Sequence, residues 1–268
     1  MKNQTAEVLS LTTHQRESFY RAVLNQLNES EIPYLVGGGY ALELYAGIGR
    51  SIKDLDLFTR PAHIKPILDK FAIKPYRSEL SFPHWLGKIF GRRDFIDVIF
   101  SSGNGLCTVD DGWFDHALRG EFLGIQVRFC PPEEMIWSKT FVMERERYDG
   151  ADVAHLIRAC GARVDWRRLL DRFGPHWRVL HSHLILFEYI YPGESSVIPS
   201  WVSKELFERL RQREVAPDSP NRICRGTLLS RSQYRGDVEL EGYEDARQAP
   251  LGPMTKEDAC NWTAAAKC

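Results

Sequence analysis

Three carboxylates and three consecutive glycines carry the clearest chemistry in this chain. Residues 34–58 read YLVGGGYALELYAGIGRSIKDLDLF. A short apolar run at 32–36 predicts a buried strand, and it ends in Gly37-Gly38-Gly39. A helical pattern follows at 40–46 and closes at Gly47. Glycine lets a backbone approach a ligand closely and adopt positive φ. A helix starting there points unpaired N–H groups towards an anion such as phosphate. A glycine turn between strand and helix also forms for packing alone, so the acids that follow decide how it is read.

Asp54 and Asp56 are one residue apart in the alternating run 52–58. The two-residue period of a strand sends both side chains to one face, with Leu55 and Leu57 on the other. Two carboxylates that close repel, and the conflict raises one pKa or is relieved by a cation. Hard oxygen donors suit Mg²⁺ or Mn²⁺, which bind through carboxylates and substrate phosphates. A third acid, Asp97, lies in Phe95-Ile96-Asp97-Val98-Ile99-Phe100, where burial without a partner is costly. If its strand lies beside that of Asp54, the three acids converge. They could then hold two metal ions, bind a triphosphate and activate an attacking hydroxyl. Asp94, just outside the run, reads as a turn residue.

These pieces resemble the polymerase-β-like nucleotidyltransferase superfamily: Gly38-Gly39, Asp54-Leu55-Asp56, and Asp97 on a later strand. Arg50 and Ser51 are similar to the superfamily's R-S/T-x-x-D-x-D wording. The spacing from the glycines to Asp54 is longer than in aminoglycoside adenylyltransferases. It is closer to the branch of abortive-infection-type and MenT-type nucleotidyltransferases. A second block, PEEMIWSKTFVMERERYDGADVAHL at 132–156, is similar to that branch's helix pair.

The resemblance implies an α+β fold: a mixed β-sheet flanked by helices, then a helical C-terminal region. It implies transfer of an NMP from an NTP such as ATP to an acceptor hydroxyl, with release of pyrophosphate. Asp54 and Asp56 would hold Mg²⁺ or Mn²⁺ on the triphosphate. Asp97 would complete a second metal site or act as general base. Gly38 and Gly39 would cradle phosphates, beside Arg50 and Ser51. Lys139 would reach the nucleotide as a point charge. Arg145, Asp149 and Asp152 would fix the helix pair, with Asp152 also near the nucleotide. Glu133, Glu134, Glu144 and Glu146 read as a solvated helix face. The acceptor stays open between small molecule, protein and tRNA. The alternative class is a non-catalytic protein of the same fold, acting as an antitoxin or binding partner.

The remaining sequence sets the frame. Strand and helix patterns alternate up to Pro131-Pro132. Helices occupy 61–71 and 110–119, and strands occupy 85–90, 95–100 and 122–129. After the prolines come helical patterns at 133–143, 149–159, 166–173, 176–190 and 200–213. This predicts a catalytic core over 1–130, a helical region over 131–215 completing the site, and a loop-rich tail over 216–268. The chain has 268 residues, 43% hydrophobic, enough for a sizeable core. Lys and Arg number 35 against 36 Asp and Glu, for a net charge of −1. That balance argues against a globally basic nucleic-acid binder. Whether Arg167, Arg168, Arg172 and Arg178 form one basic surface bears on a tRNA acceptor. No apolar run is long enough to predict a membrane span. The start shows no signal-peptide pattern, so a cytoplasmic protein is expected. The six cysteines are scattered without CxxC spacing, which predicts reduced, mostly buried thiols rather than zinc ligands. His181 and His183, two apart, do not share a helix face and read as structural.

Overall fold

The computed structural model describes residues 2–49, 52–214 and 222–266. The chain forms two compact units. The first comprises Met1–Ala41, Gly49–Ser101 and Thr108–Pro131, and the second Leu42–Ile48, Ser102–Cys107 and Pro132–Cys268.

The first unit is built on a mixed seven-stranded sheet. Its strands are β1 (Leu35–Val36), β2 (Leu55–Phe58), β3 (Arg77–Phe82), β4 (Leu86–Phe90), β5 (Phe95–Ile99), β6 (Leu118–Phe122) and β7 (Ile125–Phe129). Across the sheet the order is β3-β4-β5-β2-β1-β7-β6. The pairs β2–β5 and β1–β7 are parallel, and the other four are antiparallel. The helices of this part of the chain are α1 (Lys2–Glu29), α2 (Gly38–Ala46), α3 (Pro61–Lys70) and the short α4 (Asp111–Asp115). Pro61 opens α3, where the missing N–H costs no helical bond.

Alternation along the central strands gives the sheet two chemically different faces. Leu55, Leu57, Ile89, Ile96 and Val98 are fully buried on one of them. Gly87 lies on that face under α3, where an added Cβ would come within 2.9 Å of Ile64. The intervening residues Asp56, Lys88 and Asp97 are only partly buried and share the opposite face. Leu55 and Leu57 therefore anchor by hydrophobic burial the strand that presents the acids.

Three elements depart from the sequence pattern. β3 was not expected, because RSELSF at the sheet edge is largely exposed and carries little apolar alternation. The run 122–129, expected as one strand, is the second half of a hairpin. Leu123 and Gly124 both have positive φ (52° and 75°), which makes a two-residue turn that reverses the chain. The helix expected over 110–119 stops at Asp115, because Leu118–Phe122 pairs with Ile125–Phe129 instead.

The second unit contains α5 (Pro132–Thr140), α6 (Gly150–Cys160), α7 (Trp166–Phe173), α8 (Trp177–Ile190) and α9 (Ser200–Glu214). The C-terminal stretch adds a parallel pair of β8 (Ile223–Cys224) with β9 (Glu244–Asp245), then α10 (Arg235–Glu239) and α11 (Lys256–Ala264). It has an interior of its own. Arg247 and Asp245 form a buried ion pair, and Arg247 also donates to Thr263 of α11. The cysteines Cys107, Cys130, Cys160 and Cys224 are buried, whereas Cys260 is exposed. Among the described residues no helix is long and apolar enough to cross a membrane.

Leu57→Ala would empty a closed site on the buried face. It is expected to lower unfolding free energy by about 2–5 kcal/mol, measured by chemical denaturation.

Candidate functional site

The acids meet because of strand register. β2 and β5 run parallel with Asp56 directly beside Asp97. Asp54 lies two residues before Asp56, at the entrance to β2. One carboxylate oxygen from each of Asp54, Asp56 and Asp97 lies within 4.8 Å of the other two. This is the one cluster of its kind among the described residues. All three residues are partly buried, so their mutual repulsion is less screened than on an open surface.

The glycine turn closes against this cluster. The Gly37 amide donates to the Asp56 carbonyl at 3.0 Å, continuing the β1–β2 pairing into the turn. Gly38 opens α2 with φ of +55°, and a Cβ there would stand 1.7 Å from Oδ2 of Asp56. Only a residue without a side chain brings the start of a helix this close to the carboxylate. Gly39 packs on Ile52, to which a Cβ would come within 3.1 Å.

Two basic residues complete the surroundings. Lys88 of β4 stands opposite Asp97 in the antiparallel ladder, and its ammonium donates to Asp97 Oδ1 at 2.5 Å. Burial pushes the Asp97 carboxyl above its ordinary pKa, and Lys88 works against that rise through its hydrogen bond and charge. Arg16 of α1 donates through Nε to Asp94 at 3.0 Å and through Nη1 to the Ile52 carbonyl at 3.2 Å. It thus ties together the segments that lead into the two acid-bearing strands, and Asp94 is more than a turn residue. Nearby, the buried Tyr20 hydroxyl has no hydrogen-bond partner among the described residues. Burial drives its pKa up, and the charges of Tyr40, Asp94 and Asp54 add to the rise.

The donor set fits a hard divalent cation. It is all carboxylate oxygen from three chain positions, without nitrogen or sulfur, and the facing backbone comes close because Gly38 lacks a Cβ.

Lys139, Asp149 and Asp152 form a separate cluster within the second unit. The Lys139 ammonium donates to Asp149 at 3.0 Å and to Asp152 at 2.7 Å, and all three side chains are largely buried. Arg147, rather than the exposed Arg145, grips Asp149 through two hydrogen bonds of 2.8 Å. Burial pushes the Asp149 carboxyl up, but the Arg147 hydrogen bond and the Lys139 and Arg147 charges outweigh it and hold the pKa at about 2. Arg50 and Ser51 lie outside the described residues.

The acids expected on a solvated face are mostly internal. Glu133 and Glu134 are buried in ion pairs with Arg168, and Arg172 also reaches Glu134, at 3.2 Å. Glu144 accepts from Ser230 and from the Arg231 amide, leaving Glu146 as the more exposed member. A carboxylate spaced to look solvated becomes internal when a helix elsewhere supplies its guanidinium. Arg168 and Arg172 are thereby spent on internal pairs rather than on a basic surface. His183 is buried with Nε2 3.1 Å from the Thr140 carbonyl, a structural role.

No family model and no curated protein matches the chain. Several solved structures are loosely similar. The lincosamide antibiotic adenylyltransferase LnuA, solved with lincomycin bound, is 14% identical over 53% of this chain and 94% of its own, with a TM-score of 0.38. The antibiotic-resistance factor ANT(2'')-Ia is 16% identical over 63% of this chain and 97% of its own, with a TM-score of 0.43. An antigenic nucleotidyltransferase-like protein from Paracoccidioides brasiliensis is 18% identical over 68% and 90%, with a TM-score of 0.44.

Two outcomes follow from this geometry. Gly38→Ala drives a methyl group into Asp56 and forces a positive φ on alanine. It is expected to weaken Mn²⁺ binding, read by titration calorimetry, and to cost about 1–3 kcal/mol of stability. Lys139→Met leaves buried carboxylates without their shared cation and is expected to cost about 3–5 kcal/mol. Because the Asp149 pKa is depressed, its stabilising share is complete above its ordinary value of 3.8 and is lost as pH falls towards about 2. Acid unfolding of Lys139→Met should therefore show a shallower loss across that window than the parent chain.

Proposed function

We propose that this protein is a divalent-metal-dependent nucleotidyltransferase that moves an NMP from an NTP to an acceptor hydroxyl and releases pyrophosphate. The observation that carries this reading is the convergence of Asp54, Asp56 and Asp97 against the Gly38 turn. The alternating acids at the entrance to and within β2, and the third acid on its parallel neighbour, are what the sequence resemblance calls for. The branch assignment rests on the spacing from the glycines to Asp54 and on the block around Lys139.

Asp54 and Asp56 would hold Mg²⁺ or Mn²⁺. When bound, such an ion screens the triphosphate charge and makes an attacking hydroxyl more acidic. The backbone at Gly38 and Gly39 offers N–H donors at the start of α2 to the phosphate oxygens. Gly38 allows this approach because no Cβ stands between the helix start and the acids. Asp97 would take the proton of the acceptor hydroxyl or share in ligating the ion. The partly buried setting of the acids strengthens every charge interaction in this step. Lys139, which pairs with Asp149 and Asp152, is assigned to nucleotide phosphate on the sequence resemblance alone. Arg50 and Ser51 are assigned to the nucleotide on the sequence pattern. The acceptor is a hydroxyl compound of open class.

Pyrophosphate release with Mg²⁺ and each of the four NTPs, in the presence of a cell extract supplying acceptors, tests the reading. Asp54→Asn and Asp56→Asn are each expected to lower the rate by about a hundredfold or more, since the ion contributes several kcal/mol to the transition state. An activity that survives both substitutions would mean that the site lies elsewhere.

A further inference from the structure

Lys88 is not part of the acid motif, yet it touches the motif's third member directly. Its position follows from the hairpin of β4 and β5, which sets Lys88 opposite Asp97, with Phe90 opposite Phe95 two residues on. The ammonium lies 2.5 Å from Asp97 Oδ1 and 4.2 Å from the centre of the Phe95 ring. The side chains of Lys88 and Asp97 are 22% and 15% exposed, so water screens the pair poorly. The ring adds a cation–π attraction that holds the ammonium in place.

This contact changes the charge of the whole cluster. Lys88 offsets the charge of Asp97, so the pull on a divalent ion is weighted towards the other two acids of the cluster. The remaining acids are Asp54 and Asp56. An ion that takes Asp97 as a ligand sits beside the Lys88 ammonium on Oδ1 and is repelled by it. Lysine suits a replaceable role, being a point charge on a flexible four-carbon stem.

We propose that Lys88 is a built-in counter-cation that keeps Asp97 out of metal coordination until nucleotide arrives. The free protein then takes one divalent ion at Asp54 and Asp56. A second ion gains access to Asp97 only when the added negative charge of a triphosphate draws the ammonium away. Lys88 is on this account a positioning residue that sets the metal stoichiometry and the order of loading. The inference rests on the metal-site reading above and goes beyond it by assigning the control of Asp97.

Mn²⁺ titration of the full chain without nucleotide tests it, by calorimetry and by the electron-spin resonance of free Mn²⁺ at mildly alkaline pH. The parent chain is expected to bind one equivalent. Lys88→Met and Lys88→Gln are expected to bind a second, tightened about tenfold or more, as expected when a unit charge within about 4–6 Å is removed. Lys88→Arg, which keeps the charge, should stay with the parent. A purely structural lysine predicts the reverse pattern, with Met and Gln variants binding Mn²⁺ no better or more weakly. Two equivalents in the parent, or unchanged binding in both neutral variants, overturns the inference and leaves the metal site standing. Parent-like Mn²⁺ binding by Asp54→Asn overturns the metal-site reading itself.

Discussion

The parallel pairing of β2 with β5 is the constraint on which the candidate site depends. It places Asp56 beside Asp97 and, through the turn before β2, brings Asp54 to the same face. A slip of one residue would turn Asp56 towards the buried face and expose Leu55 and Leu57. That alternative is closed by the burial of Leu55, Leu57, Ile96 and Val98, each at most 1% exposed. The hydrophobic effect on one side of the sheet therefore holds an electrostatically unfavourable cluster on the other. Three neighbouring carboxylates are tolerated because the strands that carry them cannot turn over.

The surroundings manage that repulsion locally. Lys88 neutralises Asp97 from the neighbouring antiparallel strand, and Arg16 ties Asp94 to the Ile52 carbonyl at the entrances to both acid-bearing strands. Gly38 brings backbone rather than side chain against Asp56. The second unit uses charge differently. There Glu133, Glu134, Asp149 and Asp152 are buried against Arg168, Arg172 and Lys139, with the exposed Arg147 closing over Asp149, so much of its charge is internal. Breaking one such pair is costly because the remaining charge has no water to return to.

The acids and glycines were legible because their signals are local. A two-residue period, a glycine run after an apolar strand and an acid inside an apolar run are all read within a few positions. Lys88 and Arg16 were not legible. They lie 9 and 78 positions from the acids they contact, and nothing in WLGKIF marks its lysine as different from a solvated one. Glu133 and Glu134 pattern as surface residues for the same reason, since Arg168 and Arg172 lie more than 30 positions along the chain. The edge strand β3 and the hairpin at Leu123-Gly124 were missed because polar edges and positive-φ leucines leave weak patterns.

The sequence by itself determined which residues could carry the chemistry: period-2 acids on one strand, a third acid that apolar neighbours make expensive to bury, and glycines where backbone must come close. It also determined the mixed α and β character, because hydrophobic periodicity is a local property. Only the tertiary structure decided that β2 and β5 are neighbours, that their register sets Asp56 against Asp97, and that Lys88 faces Asp97 across β4. These are long-range pairings chosen by whole-sheet burial, and no window of sequence contains the energy that selects them.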